Sequence, residues 1–298
     1  MSTSFSQLIL QGPEVDNKTV NQIASQLKAK ETTSKNTGKP YYRLSLAAPL
    51  DSTRLHQLRQ QYPFDINPLP AGFDPGNIRL LLTDMDSTLI SIECIDEIAD
   101  FLDIKPQVAE ITEAAMRGEI DFETSLKKRI QLLLGLDDSA LQHVYDERLK
   151  LNPGAEIMLQ GLQQNNIKVA LVSGGFTYFT QRLQQRLHLD FTLANELAFD
   201  KQGKLTGIAN DVIVGAQRKA DYLTELCTVM SITPDQVIAM GDGANDLLMM
   251  ERAGLSIAYH AKPTVQQQAS CALNHCGLEG VLELLGIGET FSIPTQTS

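Results

Sequence analysis

Two carboxylates two positions apart, Asp84 and Asp86, follow at once on an apolar run of strand length, residues 78–83. Two further runs of that kind end in polar clusters: residues 167–172 lead into Ser173-Gly174-Gly175, and residues 237–240 into Gly241-Asp242-Gly243-Ala244-Asn245-Asp246. Carboxylates from Asp84 and Asp242, with a backbone carbonyl nearby, are the hard oxygen ligands that Mg²⁺ takes while keeping waters and a substrate phosphate. With its charge offset in that way, a carboxylate such as Asp84 can attack phosphorus and carry the phosphoryl group as an aspartyl-phosphate. Asp86 is already in the loop and can reach the leaving oxygen rather than the phosphorus. That makes it the natural general acid, and then the base for the attacking water. Ser173 and the Gly174 amide can donate to phosphoryl oxygens, and Lys219 is a point charge for the same oxygens, with its basic neighbour Arg218 a competitor for that role. Alone, each cluster reads as an acidic loop or a tight turn; the chemistry needs them together.

For the clusters to meet, the three runs must be neighbours in one sheet. Uniformly apolar strands, with a fourth at 255–259, alternate with helical patterns at 222–230 and 246–252, which implies βαβ units of a parallel sheet buried on both faces. Ligands of such sheets bind outside the carboxyl ends of the strands. The first two strands are too far apart in sequence for a single crossover helix. The residues between them repeat apolar positions at helical spacing, Ile95, Ile98, Ala99 and Leu102, then Leu126, Ile130 and Leu133. The expectation is a Rossmann-like α/β core over residues 78–288 with a helical cap inserted at about 93–150, closed by Asn152-Pro153-Gly154. A helix through 160–164 leads back to the sheet, and strands at 191–199 and 204–208 flank Asp200-Lys201-Gln202-Gly203 as a hairpin. Residues 1–77 read as a small α+β accessory unit: strand 5–11, helix 18–30, linker 31–39, strand 41–47, helix 52–61 and a second linker at 67–76, rich in proline and glycine. Residues 289–298 read as a disordered tail.

Composition narrows the partners. The chain has 298 residues, 43% of them hydrophobic, and a net charge of −11 from 36 acidic and 25 basic side chains. It is apolar enough to fold and carries no basic block, so neither nucleic acid nor an anionic membrane surface is expected as a partner. No signal peptide or apolar stretch of spanning length is visible, and the four scattered cysteines fit a reducing cytoplasm. Cys271 and Cys276 flank His275, but a second ligand pair is missing, so these read as buried thiols, not as a zinc site. An anionic substrate must therefore find its positive charge in a local pocket.

In order along the chain, DMDST at 84–88, Ser173, Lys219 and GDGAND at 241–246 resemble the four motifs of the haloacid-dehalogenase-like phosphatases. More narrowly, DMDSTLISIECIDE at 84–97 and VSGGF at 172–176 are similar to the bacterial phosphoserine phosphatases. The resemblance spans about residues 78–285. It implies Asp84 as nucleophile, Asp86 as acid/base, and Mg²⁺ on Asp84, Asp242 and the Asp86 carbonyl. It further implies Ser173, Gly174 and Lys219 around the phosphate, helped by Asn245, with Asp246 supporting Lys219 or the metal shell. In the cap it assigns Glu93 to a substrate ammonium and Arg129 to its carboxylate, with Met116 and Phe122 lining the closed cap. The implied reaction is hydrolysis of O-phosphoserine to L-serine and phosphate, the last step of serine biosynthesis. A phosphorylated amino acid does need one anion and one bidentate cation in its pocket. Simpler readings stand beside these: Glu93 as a first-turn helix residue, Arg129 as an i, i+4 surface partner, Met116 and Phe122 as core. Hydrolysis of another small phosphomonoester, phosphotransfer to another alcohol and a silent binding module also remain open. The β-α-β-α order of the N-terminal unit, with what family members sometimes carry, suggests a ferredoxin-like or ACT-like domain that binds a regulatory ligand or pairs chains as a homodimer.

Overall fold

The structure is a computed structural model that describes residues 5–35, 40–116, 119–209 and 212–287. Its N-terminal part runs β1 (Phe5–Gln11), α1 (Asn17–Leu27), β2 (Lys30–Lys35), β3 (Pro40–Leu50), α2 (Ser52–Gln61) and β4 (Asp65–Leu69). The four strands form one antiparallel sheet in the order β2-β3-β1-β4, the split βαβ arrangement. Two segments expected as linkers are therefore partly strands. Residues 30–35 pair with β3, and residues 65–69 pair with β1 in spite of Pro68. Alternation along β1 closes both faces of the sheet. Leu8 and Leu10 pack with Val20, Ile23, Leu55 and Leu58 of its own helices, whereas Ile9 joins the larger core that includes Val281 and Leu285.

The larger part is built on β5 (Leu80–Thr83). Between β5 and β6 (Lys168–Phe176) stand the helices α3 (Cys94–Phe101), α4 (Lys105–Met116), α5 (Phe122–Leu132), α6 (Asp138–His143) and α7 (Ala155–Gln164). After β6 come α8 (Thr177–Leu187), β7 (Phe191–Asn195), β8 (Leu197–Phe199), β9 (Leu205–Ala209) and α9 (Ala216–Met230). The last elements among the described residues are β10 (Val237–Gly241), α10 (Leu247–Arg252), β11 (Leu255–Tyr259), α11 (Pro263–Gln268), β12 (Cys271–Leu273) and α12 (Gly280–Leu285). Six strands make a parallel sheet in the order β12-β11-β10-β5-β6-β7. Leu80 and Leu82 turn toward Leu223 and Leu226 of α9 and Met249 of α10, and Leu81 toward Met158 and Leu162 of α7 and Phe179 of α8. A strand with helices on both faces has no polar side, which is why the sequence shows an unbroken apolar run.

The stretch expected as one strand at 191–199 divides: β7 extends the parallel sheet, while β8 turns away and pairs with β9. The β8–β9 hairpin attaches to the cap, since Gly135 N–H donates to the Leu205 carbonyl at 2.7 Å and Leu205 N–H to that of Leu136 at 2.8 Å. The two parts of the molecule are joined by buried polar contacts at the sheet edge. The Asp65 carboxylate, 3% exposed, accepts from the backbone N–H groups of Asn274, His275 and Cys276, and the Asn67 side-chain carbonyl accepts from Ala272 N–H at 2.7 Å. All four cysteines are buried and free; the Cys271 thiol donates to the Pro68 carbonyl at 3.3 Å. The residues expected as a tail, 289–298, lie outside the described residues.

Candidate active site

Because β10, β5 and β6 are adjacent and parallel, their carboxyl ends bring the three polar clusters to one place. Past β5 the chain makes one wide helical turn, residues 85–89, in which Ser87 takes a left-handed conformation with φ 55°. That turn carries Asp86 under the bulge that follows Val172 in β6. Here the Asp86 carboxylate accepts from Cys94 N–H at 2.8 Å and from the Ser173 hydroxyl at 3.3 Å, and the Ser173 oxygen in turn accepts from Gly175 N–H at 2.8 Å. A Cβ on Gly175 would stand 2.9 Å from the Asp86 carboxylate, so only glycine admits this approach. At β10 the requirement recurs: a Cβ on Gly241 would collide with the Asp246 carboxylate.

Lys219, fully buried, lies between two carboxylates, 2.7 Å from Asp84 and 2.8 Å from Asp246. Burial alone would lower its pKa, but Asp246 and Asp84 override that and hold the ammonium above its ordinary value. Arg218, the competitor in sequence, points away and forms a two-pronged pair with Glu225 at 2.9 and 3.1 Å. Both oxygens of Asp246 are engaged, one by Lys219 and the other by Gly243 N–H at 3.1 Å. It thus anchors Lys219. Asp84, Asp242 and Asp246 bring ligand oxygens within 4.8 Å of one another. Burial, then the neighbouring Asp246, pushes Asp84 well above the usual carboxylate range, and the same two causes raise Asp242 to about 6. One lysine among three close carboxylates leaves the cluster short of positive charge, a donor set that could hold a divalent cation. Asp86 is raised as well, mainly by burial, the direction that suits a general acid.

A cavity of about 820 Å³ opens above this floor. Its core wall includes Asp84, Asp86, Gly174, Asp242 and Asn245, and its cap wall includes Glu93, Phe122 and Arg129. Ser173 and Lys219 stand just behind the wall, reaching it through Asp86 and Asp84. The Phe122 ring lies over Gly174 and Gly215, joining the start of α5 to the core. Met116 closes α4, and its side chain lies outside the described residues. The Glu93 carboxylate accepts from the Ser87 hydroxyl at 2.7 Å, and burial, followed by the nearby Asp86, raises it to about 7. The buried Nε of Arg129 has no hydrogen-bond partner among the described residues, and the charges that face the guanidinium are those of Asp96, Glu93 and Asp86. A half-buried guanidinium whose buried Nε is unpaired has a donor left for an anionic ligand.

Several contributors escaped the sequence. The Asn195 amide donates to the Gly174 carbonyl at 2.8 Å and accepts from Val214 N–H at 2.8 Å, tying the β6 bulge to the loop before α9. The Thr88 hydroxyl donates to Asp242 at 3.3 Å. The Asn152 amide holds the Thr88 and Ile90 carbonyls at 2.8 and 3.0 Å, where the chain returns from the cap. Ser87, Asp96 and Lys262 complete the set. None stands in a local pattern that marks its partner, although Ser87 and Thr88 fall inside the run that carries the two aspartates and Asp96 in its continuation.

An acid-rich strand end on a parallel sheet, roofed by a helical insertion, defines a hydrolase class, and the match to known proteins agrees. The chain belongs to the haloacid dehalogenase-like hydrolase family, whose model matches residues 78–254. A phosphoserine phosphatase from a Polaromonas species is 50% identical over 215 residues, covering 70% of this chain and 91% of that one. The unliganded structure of a probable phosphoserine phosphatase from Vibrio cholerae superposes with a TM-score of 0.80 at 36% identity over 95% of this chain and 86% of that one. A phosphoserine phosphatase solved as a phospho-aspartyl intermediate analogue has a TM-score of 0.65 at 35% identity, over 70% of this chain and 98% of that one.

Proposed function

We propose that the chain hydrolyses O-phosphoserine to L-serine and phosphate through an aspartyl-phosphate on Asp84. The observation that carries this reading is the pairing, across one cavity, of the Asp84–Lys219–Asp246 floor with a cap that offers one carboxylate, Glu93, and one unpaired guanidinium, Arg129. The family and the relatives named above support it. Glu93 takes the substrate ammonium and Arg129 its carboxylate, which sets the phosphate down among Asp84, the Gly174 amide, Asn245 and Lys219. An Asp84 oxygen attacks phosphorus while Asp86 gives its proton to the departing serine oxygen, so the P–O ester bond breaks as the acyl phosphate forms. Asp86, now a carboxylate, takes a proton from the water that attacks the same phosphorus, which releases phosphate and restores both aspartates. Asp84, Asp242 and the Asp86 carbonyl are the groups that would hold Mg²⁺, which when bound supplies charge neutralisation between carboxylate and phosphate. Ser173 keeps Asp86 turned toward the leaving oxygen. Phe122 closes the cap over the substrate.

The substrate is small, and the same reading puts the protein in the cytoplasm, with no nucleic-acid or membrane partner and with residues 1–77 as an accessory domain available to pair two chains as a homodimer. No helix among the described residues is long and apolar enough to cross a membrane. The deciding experiment is phosphate release from three esters: O-phosphoserine, phosphoethanolamine, which lacks the carboxylate, and 3-phosphoglycerate, which carries a hydroxyl in place of the ammonium. Wild type should prefer phosphoserine, and Arg129→Ala and Glu93→Ala should each erase the preference over the matching analogue. Equal rates on all three esters would overturn the substrate, and phosphate appearing on an added alcohol would turn the reading to phosphotransfer.

A further inference from the structure

Among the described residues the cavity is lined by five carboxylates, Asp84, Asp86, Glu93, Asp96 and Asp242, but by only two cationic side chains, Arg129 on the cap and Lys262 on the core. Lys219 adds nothing to this balance at the mouth, since it is buried and held by Asp84 and Asp246. In a chain of net charge −11, that excess of carboxylates works against the approach of a phosphomonoester dianion. Lys262 is the exposed cation on the approach from the core side. Among the described residues its ammonium has neither hydrogen bond nor ion pair.

Its backbone, by contrast, is held firmly. Lys262 N–H donates to the Asp242 carbonyl at 3.3 Å, and its own carbonyl accepts from Val265 N–H at 2.9 Å and Gln266 N–H at 3.1 Å. The Gln266 side chain donates to the Ala261 carbonyl and accepts from the Asn274 amide at 3.0 Å. Pro263 fixes the residue that follows. A side chain left unpaired on a braced backbone, facing a cavity poor in positive charge, is suited to meet an incoming anion.

We propose that Lys262 is a substrate-capturing residue: its ammonium draws the phosphate group of the substrate into the cavity and hands it to the Asp84 floor. This rests on the phosphomonoesterase reading but not on the identity of the ester. It assigns to Lys262 a share of kcat/KM, not of the chemical step.

The test compares Lys262→Gln, Lys262→Glu and Lys262→Arg with wild type, on O-phosphoserine and on p-nitrophenyl phosphate, from low salt to about 0.3 M, a range that strongly shortens the screening length. In Lys262→Gln kcat/KM should fall roughly 3- to 10-fold at low salt, with kcat within about twofold, and Lys262→Glu should fall further. The gap should narrow as salt rises, and Lys262→Arg should stay close to wild type. An unchanged low-salt kcat/KM in Lys262→Gln, or a loss that is equal at every salt and appears in kcat, would overturn the inference. If phosphoserine proves not to be the substrate, the p-nitrophenyl phosphate series decides the matter by the same criteria. Absence of activity on both esters would remove the reading beneath it, whereas activity on both without dependence on Lys262 overturns this inference alone.

Discussion

The two walls of the cavity are prepared in opposite ways. On the core wall the polar groups are already paired: Lys219 with Asp84 and Asp246, Asp86 with Cys94 N–H and the Ser173 hydroxyl, Asp242 with Thr88. On the cap wall Arg129 leaves its buried Nε unpaired, and Glu93 has the Ser87 hydroxyl but, among the described residues, no ion pair. Fixed donors and charges lower a barrier because they need no reorganisation as the reaction proceeds. Unpaired groups gain most from the one ligand that completes them, which is how a site rejects close analogues. The core wall is thus prepared for the transition state and the cap wall for the substrate.

Removing the nucleophile should have the largest effect. Asp84→Asn keeps the shape of the floor, and phosphate release should drop on the order of 10³-fold or more while the protein stays folded by circular dichroism. Substantial residual turnover would separate the paired wall from the chemistry assigned to it. Next comes Lys219→Met, which strips the cation from two buried carboxylates. Breaking a buried pair in this way costs about 3–5 kcal/mol, so a clearly lower melting temperature should accompany the lost activity. A variant that melts like wild type would show that the carboxylates do not depend on this lysine.

The cap wall should respond differently. Arg129→Ala should raise KM for phosphoserine by roughly 10- to 100-fold, in line with about 1.5–3 kcal/mol for a hydrogen bond to a charged group, and should leave phosphoethanolamine almost unaffected. Steady-state kinetics on both esters checks this. An equal loss on the two would mean that Arg129 serves the architecture of the cap, and the contrast between the walls would fail.

The core wall was also the more legible in sequence. Asp84, Asp86, Asp242 and Asp246 stand in short runs at the ends of uniformly apolar strands, where fold and chemistry leave their marks together. Asn195 and Asp65 left no such mark, because their partners lie far away in the chain, Gly174 and Val214 for one and residues 274–276 for the other. The same physics hid two strands. β2 reads KETTSK, without apolar alternation, as a strand at the open edge of a sheet can. β4 contains Pro68, which has no N–H to give and is tolerated there because β4 is the other edge.

The smallest effect, and the finest probe of the cap wall, is the pH dependence of Glu93. Its carboxyl is raised to about 7, chiefly by burial and then by Asp86, against the Ser87 hydrogen bond. Only the carboxylate pairs with a substrate ammonium, so kcat/KM for phosphoserine should decline as pH falls through about 7. At saturating substrate kcat should stay level there, because the bound ammonium lowers the carboxyl again. Glu93→Gln should lose this limb and keep the lower one near about 6, where the phosphate's second ionisation and Asp242 both fall; an unchanged limb near about 7 in the variant would reassign it. Stability runs the other way. A carboxyl whose folded pKa exceeds its unfolded value binds more protons when folded, so its contribution falls as pH rises from the unfolded value toward 7. Solvent access at the mouth keeps the effect small, but its sign is fixed. Without ligand at pH 8, Glu93→Gln should melt no lower than wild type while binding phosphoserine more weakly, because the uncompensated charge that recognises the substrate is one that the empty cavity holds at a disadvantage.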